Sequence, residues 1–239
     1  MLTSQGYLFI LGRMGMIELR EDFHVTNYMN QVQEEEMKRI ANELHEGPGQ
    51  QLFSVATGLE FLQSSIQEPG MREYAKELNQ LLRRTIEEIR FISAELYPIT
   101  LGKLGLEAAL RSFFTLYTST FGVVVHMNRS GERIELSENL SLAIFRCCQE
   151  ALINIAAYAE VDEADVYFTW EKKSLKIDIR DKGKGFDKEA AIANHRMKGV
   201  AAMEQRMKQV GGEFSITSEL AQGTTVTLLL PIQEGGMER

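Results

Sequence analysis

"DIRDKGKGFD", residues 178–187, closes a run of strand-like alternation at Asp181 and then places Gly183 and Gly185 in the loop that follows. A carboxylate at the end of a strand can accept a hydrogen bond from an exocyclic amine such as that of adenine. Glycines beside it let the backbone come close to a base and a sugar. A glycine-bearing turn between two elements, with no ligand, fits the same ten residues equally well. The motif is too short to decide alone, so its neighbours must.

Upstream, "QEALIN" at 149–154 sets Glu150 and Asn154 four residues apart, hence on one face of a helix. Two oxygen-bearing side chains there suit Mg²⁺, which keeps several waters and takes one or two protein ligands beside substrate phosphates; a solvated polar face is the plain alternative. Downstream, Gly199 opens a helix whose free N–H groups can hold phosphate oxygens, and "GTT" at 223–225 begins the last strand. Between residues 180 and 208 eight basic residues face four acidic ones, in a chain whose formal net charge is -8. A polyphosphate would find its counter-charge here, while the chain as a whole is too acidic for nonspecific binding to DNA or anionic lipid.

The elements around these motifs set the fold class. Apolar residues at Leu140, Ile144, Ala151 and Ile155, behind Ser137 as N-cap, predict a helix. A helix over about 105–120 and one over about 199–210 join it, with strands at "VVVHMNRSG", "ADVYFTW", "SLKIDIRD", "EFSITS" and "TTVTLLLP". Helices with mainly antiparallel strands indicate an α+β two-layer sandwich.

The first part of the chain has a different texture. Val25, Met29, Val32, Ile40, Leu44, Leu52, Val55, Leu59, Leu62 and Ile66 mostly step by three or four, and after "EPG" at 68–70 a second stripe runs from Met71 to Leu96 before Pro98. Two long helices and a tight turn make an α-helical hairpin. One apolar seam cannot be buried by one hairpin, which predicts a homodimer with a four-helix bundle. Within the first stripe, "NELHEGPGQQLF" at 42–53 sets two glycines and a proline in the helix directly after His45 and Glu46. Pro48 removes a backbone donor and crowds the carbonyl of Leu44, so a kink is expected one turn past His45.

Cys147 and Cys148 are adjacent and cannot form a disulfide framework, which fits a reducing cytoplasmic setting. The apolar stretch at 6–19 is broken by Arg13, is shorter than the roughly 20 residues of a membrane span, and lacks the marks of a signal peptide. A membrane link is expected only through a region upstream of residues 1–24. His24, His126 and His195 show no metal-ligand spacing.

Taken in order, "QEALIN", "DKGKGF", "MKGVAAMEQR" and "GTTVTLLLP" resemble the ATP-binding domain of the GHKL superfamily, which groups gyrase, the Hsp90 chaperone, histidine kinases and MutL. With "NELHEGPGQQL" and "ELYPITLGKLGLEAAL" ahead of them, residues 30–231 resemble bacterial two-component sensor histidine kinases, in the subfamily that pairs with response regulators bearing a helix-turn-helix output domain. The resemblance implies a remnant of an upstream region at 1–24, a dimerisation and phosphotransfer domain at 25–98, a catalytic ATP-binding domain at 99–233 and a tail at 234–239. It makes His45 the phosphoacceptor, Glu46 the acceptor of the imidazole proton, and Gln50 the last member of an H-[DE]-x-x-x-Q pattern tied to dephosphorylating the regulator. Asn154, with Glu150, would hold Mg²⁺; Asp181 would take the adenine amine; Gly183, Gly185 and Gly199 would shape the pocket and lid; Gly223 and Thr224 would close its far side.

Three positions depart from the family. Ala157 and Tyr158 stand where relatives carry a basic residue and a histidine, and Met197 stands where many have the first lid glycine. The implied activity is Mg-ATP-dependent phosphorylation of His45 and transfer to a regulator aspartate, without direct contact to nucleic acid. An ATPase clamp using Glu150 as base, and a degenerate phosphatase or scaffold, are the alternatives.

Overall fold

The computed structural model describes Met29, residues 31–187 and residues 197–232. The expectations for residues 1–24, for the stretch at 6–19, for the tail at 234–239 and for His24, Lys188, His195 and Arg196 lie outside the described residues.

Residues 31–44 are helical (α1) and run through a π-helical turn, His45–Gly49, into α2, Gln50–Ser65. At Pro48, where a kink is expected, the helix makes this π turn. Pro48 has no N–H for the Leu44 carbonyl, and a π turn, whose bonds run from i to i+5, hands that role to the next residue. That residue is Gly49, where a Cβ would lie 3.2 Å from the Leu44 carbonyl oxygen. The break at 68–70 is a helix start as well: Glu68 accepts hydrogen bonds from the N–H groups of Gly70 and Met71, and Pro69 takes the first position of α3, Pro69–Leu96.

α3 packs antiparallel to the helix that runs from α1 into α2, tied by Asn79 Nδ2 donating to the Ala56 carbonyl of α2 at 2.9 Å and by Ser93 Oγ donating to the Ala41 carbonyl of α1 at 2.9 Å. Large apolar side chains still point outward: Phe53, Val55, Phe61, Leu62, Met71, Tyr74 and Leu81 are each at least half exposed. The pair buries one seam and leaves another open.

After a short turn of helix, α4 (Leu101–Leu104), come α5 (Leu106–Phe121), β1 (Val124–Ser130), α6 (Glu138–Asn154), β2 (Glu163–Glu171), β3 (Ser174–Asp181), α7 (Lys198–Gln209), β4 (Glu213–Glu219) and β5 (Gly223–Pro231). The Ser137 side chain caps α6 by accepting from the Leu140 N–H, as its position predicts. The strand order is β1-β2-β3-β5-β4. Three pairs are antiparallel, and β1 runs parallel to β2 because α6 carries the chain between them.

One face of this sheet carries Val166, Phe168, Leu175, Ile177, Ile179, Val226 and Leu228 into the core, where they meet Leu110, Phe113, Tyr117, Ile144, Phe145 and Leu152 of α5 and α6. The other face is polar: Asp178 accepts from Thr227 and pairs with Lys176 and Arg180. The result is two layers, helices on sheet. The helix from Glu138 to Ala159 is long and apolar enough to span a membrane by composition, but 56% of its most apolar 18 residues are buried as the core of this layer.

Candidate functional site

Strand alternation decides where Asp181 goes. Leu175, Ile177 and Ile179 face the helices, and the next residue in that register is Asp181, which is 8% exposed. One carboxylate oxygen accepts the Gly183 N–H at 2.9 Å. Burial raises the carboxyl above the usual aspartate range, partly offset by the Gly183 and Thr224 N–H groups. A buried carboxylate with this little local satisfaction keeps acceptor capacity for a ligand N–H.

The loop after Asp181 is pinned from both sides. The Lys184 N–H donates to the Ala159 carbonyl at 3.1 Å, its carbonyl accepts the Ala221 N–H at 2.8 Å, and the Phe186 N–H donates to Ser218 Oγ at 2.9 Å. Such closeness excludes side chains. A Cβ at Gly223, where φ is +82°, would collide with the Asp181 carbonyl, and one at Gly185, where φ is +56°, with that of Glu219. Thr224 pairs with Asp181 across β3 and β5 and shares a hydrogen bond with Ser218 Oγ at 3.0 Å.

These groups border a cavity of about 880 Å³ between α6, α7 and the sheet. Its walls include Glu150 and Asn154 from α6, Asp181 and Gly185 from the loop, Gly199 from α7, and Thr224 from β5. Gly183 and Gly223 underlie it, in contact range of Ala159 and Asp181. Ile155, Ile179, Met203, Ile216 and Val226 supply apolar surface. A volume in the range of small-molecule sites, mostly apolar with a few convergent polar groups, fits a flat base and a charged tail. Tyr158, one of the departures from the family pattern, also lines it, as do Phe186 and Leu220, which carried no signal in the sequence beyond their place next to the motifs.

Asn154 ends α6, and the helix widens at once into a second π-helical turn, Ile155–Ala159, ending at Glu160 with φ +59°. The two π turns among the described residues thus begin at His45 and directly after Asn154, as such turns often do at functional positions. Glu150 lies against Gly199, whose added Cβ would collide with the Glu150 carboxylate.

The local excess of basic residues is not gathered at the cavity. Arg180 lies on the opposite face of the sheet, paired with Asp178 and over the Tyr167 ring, and Lys208 pairs with Glu204. Among the described residues only Lys184 and Lys198 bring positive charge to the cavity wall. Lys184 Nζ is held 2.7 Å from Glu160. Ala157 is exposed and adds no polar group, and Met197 lines the cavity at the start of α7.

His45 and Glu46 lie on the π turn of the helical hairpin and Gln50 opens α2 directly after it, all three exposed. None lines the cavity. The structure therefore gathers the nucleotide-type residues in one place and the histidine group in another. Cys147 and Cys148 lie on α6 and are buried; burial pushes the Cys147 thiol up to about 12 and raises that of Cys148 as well, so neither is a nucleophile at neutral pH. Among the described residues no group of three or more His, Cys, Asp or Glu side chains converges to hold a metal.

Comparison with known proteins matches this division. A family model described as histidine kinase covers residues 36–101, and one described as histidine kinase-, DNA gyrase B-, and HSP90-like ATPase covers residues 139–234. The oxygen sensor histidine kinase NreB of Staphylococcus carnosus is 33% identical over 204 residues, which are 84% of this chain and 58% of that protein. The chain thus spans somewhat over half the length of this curated relative. The histidine kinase domain of a blue-light activated histidine kinase from Erythrobacter litoralis superposes with a TM-score of 0.47 at 13% identity, over 77% of this chain and 94% of that one. A longer form of the same kinase gives 0.48 at 17%, over 79% and 61%. With a kinase-type helical region followed by a kinase-type ATPase region over most of its length, the chain belongs to the histidine kinase family.

Proposed function

We propose that the chain binds Mg-ATP in the cavity between α6 and α7, transfers the γ-phosphoryl group to His45, and passes it to an aspartate on a separate response regulator. The observation that carries this reading is the convergence of Asp181, Asn154, Glu150, Gly199 and Thr224 on one cavity in a chain whose exposed histidine sits on a separate helical stalk.

Asp181 accepts the adenine amine, and the apolar walls sandwich the base. Lys184, Lys198 and the first N–H groups of α7 face the phosphates. Asn154 and Glu150 would hold Mg²⁺, which neutralises charge on the transferring phosphate. A nitrogen lone pair of His45 attacks the γ-phosphorus, the bond from that phosphorus to the β–γ bridging oxygen breaks, and ADP leaves. Glu46 stabilises the imidazolium that forms during attack, as the acid of a hydrolase triad does, and then takes the ring proton so that neutral phosphohistidine remains. Gln50 is placed five residues on, the spacing that a π turn joins, and serves the reverse handling of phosphate on the regulator.

The chain works as a homodimer. The exposed seam of Phe53, Phe61, Leu62, Met71 and Leu81 is large enough to need a partner, since each such side chain gains about 1.5–3 kcal/mol on burial. We place the domain boundaries near Pro98, the protein in the cytoplasm, and a helix-turn-helix output domain on the regulator. Residues 25–98 form the phosphotransfer domain and 99–233 the ATP-binding domain. Incubation with γ-labelled ATP tests the reading: label is expected on the parent and absent from His45→Gln and Asn154→Ala. Label retained in His45→Gln would refute the assignment.

A further inference from the structure

Arg146 is a charged side chain inside an otherwise apolar stretch of α6, between Phe145 and Cys147, and is 8% exposed. Its guanidinium is fully engaged. Nε and Nη2 donate to the Glu34 carboxylate at 3.2 and 2.7 Å, Nη1 donates to the Glu95 carbonyl at 2.8 Å and to Gln149 Oε1 at 3.0 Å, and Nη2 donates to the Leu96 carbonyl at 2.7 Å. Gln149 Nε2 adds a second bond to the Glu95 carbonyl at 3.0 Å.

Glu95 and Leu96 are the last residues of α3, where carbonyls lack intrahelical partners and the helix dipole is negative. Arg146 and Gln149 thus cap the C-terminal end of the stalk from the ATP-binding side. The charge of the buried arginine is balanced by Glu34 from α1, the other stalk helix. A second rung lies beside it: Lys38 Nζ meets Glu138 Oε1 at 2.8 Å, and Tyr97 Oη donates to the same oxygen at 2.7 Å.

The two contacts of the clamp differ in kind. Backbone carbonyls at the end of α3 are fixed in place by the helix and move only with it. Glu34 is 30% exposed and moves with α1. It also borders a cleft of about 1210 Å³ between α1 and the α6–α7 layer, lined further by Lys38, Gln149, Glu150 and Arg206. Arg146 lies four and eight residues before Glu150 and Asn154, so one face of α6 meets the stalk at one end and the cavity at the other. In this docked arrangement no described stalk residue lines the cavity.

We propose that Arg146 and Gln149 are positioning residues that clamp the ATP-binding domain to the stalk, with the α3 end as the fixed contact and Glu34 as the releasable one that withholds the nucleotide from His45. The proposal rests on the phosphotransfer reading above. Withdrawing Glu34 strands the arginine charge and favours the undocked domain.

The test compares the full chain with Glu34→Gln and Glu34→Arg by small-angle X-ray scattering and by the initial rate of His45 labelling at limiting and saturating ATP. The radius of gyration and the labelling rate are expected to rise in the order parent, Gln, Arg, reaching about fivefold in rate, with KM for ATP held within about twofold. Scattering and rate unmoved by either variant would overturn the clamp, and so would a change in KM without one in rate. If even the parent fails to label, the phosphotransfer reading fails on its own; expansion of Glu34→Arg then still supports the clamp, and its absence overturns it.

Discussion

The backbone N–H of Gly183 donates to Asp181 Oδ1 at 2.9 Å, closing a turn that leaves this carboxylate buried at the edge of the cavity. A carboxylate kept there against its desolvation cost fits the proposed role of acceptor for a ligand N–H.

Asp181→Asn separates the two roles. Because burial raises the carboxyl, the folded chain binds that proton more tightly than the unfolded one does. The stability this gives is complete below the unfolded value near 3.8, and is lost as pH rises through the raised folded value. The variant is therefore expected to melt at or above the parent at pH 7, with the gap closing towards pH 4. ATP affinity should fall about 10- to 100-fold, since the amide N–H₂ opposes the adenine amine. Calorimetric titration and thermal melts over pH 4–8 check both halves.

Lys184 carries one of the two positive charges on the cavity wall among the described residues. Lys184→Gln is expected to weaken ATP about five- to tenfold and adenosine hardly at all, with the difference shrinking as salt is raised. Equal losses for both ligands would assign the lysine to loop structure instead.

Pro48 deprives the Leu44 carbonyl of its α-helical donor within the π turn that bears His45. Pro48→Ala restores that donor and favours a regular helix, worth up to about 3 kcal/mol in helix propensity. The ratio of His45 phosphorylation to regulator dephosphorylation should change, with nucleotide affinity unaltered. An unchanged ratio would show that the turn does not set the balance of the two activities.

Phe61 is 74% exposed and Leu81 61%. Phe61→Asp with Leu81→Asp places charges in the expected dimer seam. Sedimentation should then show dissociation to monomers while the monomer keeps its ATP site.

Much of this architecture was legible because the signals are local. The apolar steps of three and four along residues 31–96 marked two helices, Ser137 announced its cap, and alternation through Ile177 and Ile179 led directly to Asp181. Pro48 pointed to a kink, though not to the π geometry, in which the role of donor to the Leu44 carbonyl passes to the Gly49 N–H. What sequence could not show was partnership over long separations. Arg146 reads as a stray charge in an apolar helix until the end of α3, fifty residues earlier, is placed against it. Arg180 and Lys208 read as counter-charge for a polyphosphate until strand alternation and helix phase turn them away from the cavity. The parallel pairing of β1 with β2 likewise follows from the α6 crossover rather than from either strand.

The most direct measurement is localisation of phosphate, by mass spectrometry under neutral conditions, after the full chain is incubated with Mg-ATP. Phosphate on the peptide that contains His45, and about 10- to 100-fold less of it initially in Asp181→Asn at ATP concentrations well below the parent's KM, is the expected result. Bound ATP with no modification of His45 in the dimer, or modification of another residue alone, would contradict it.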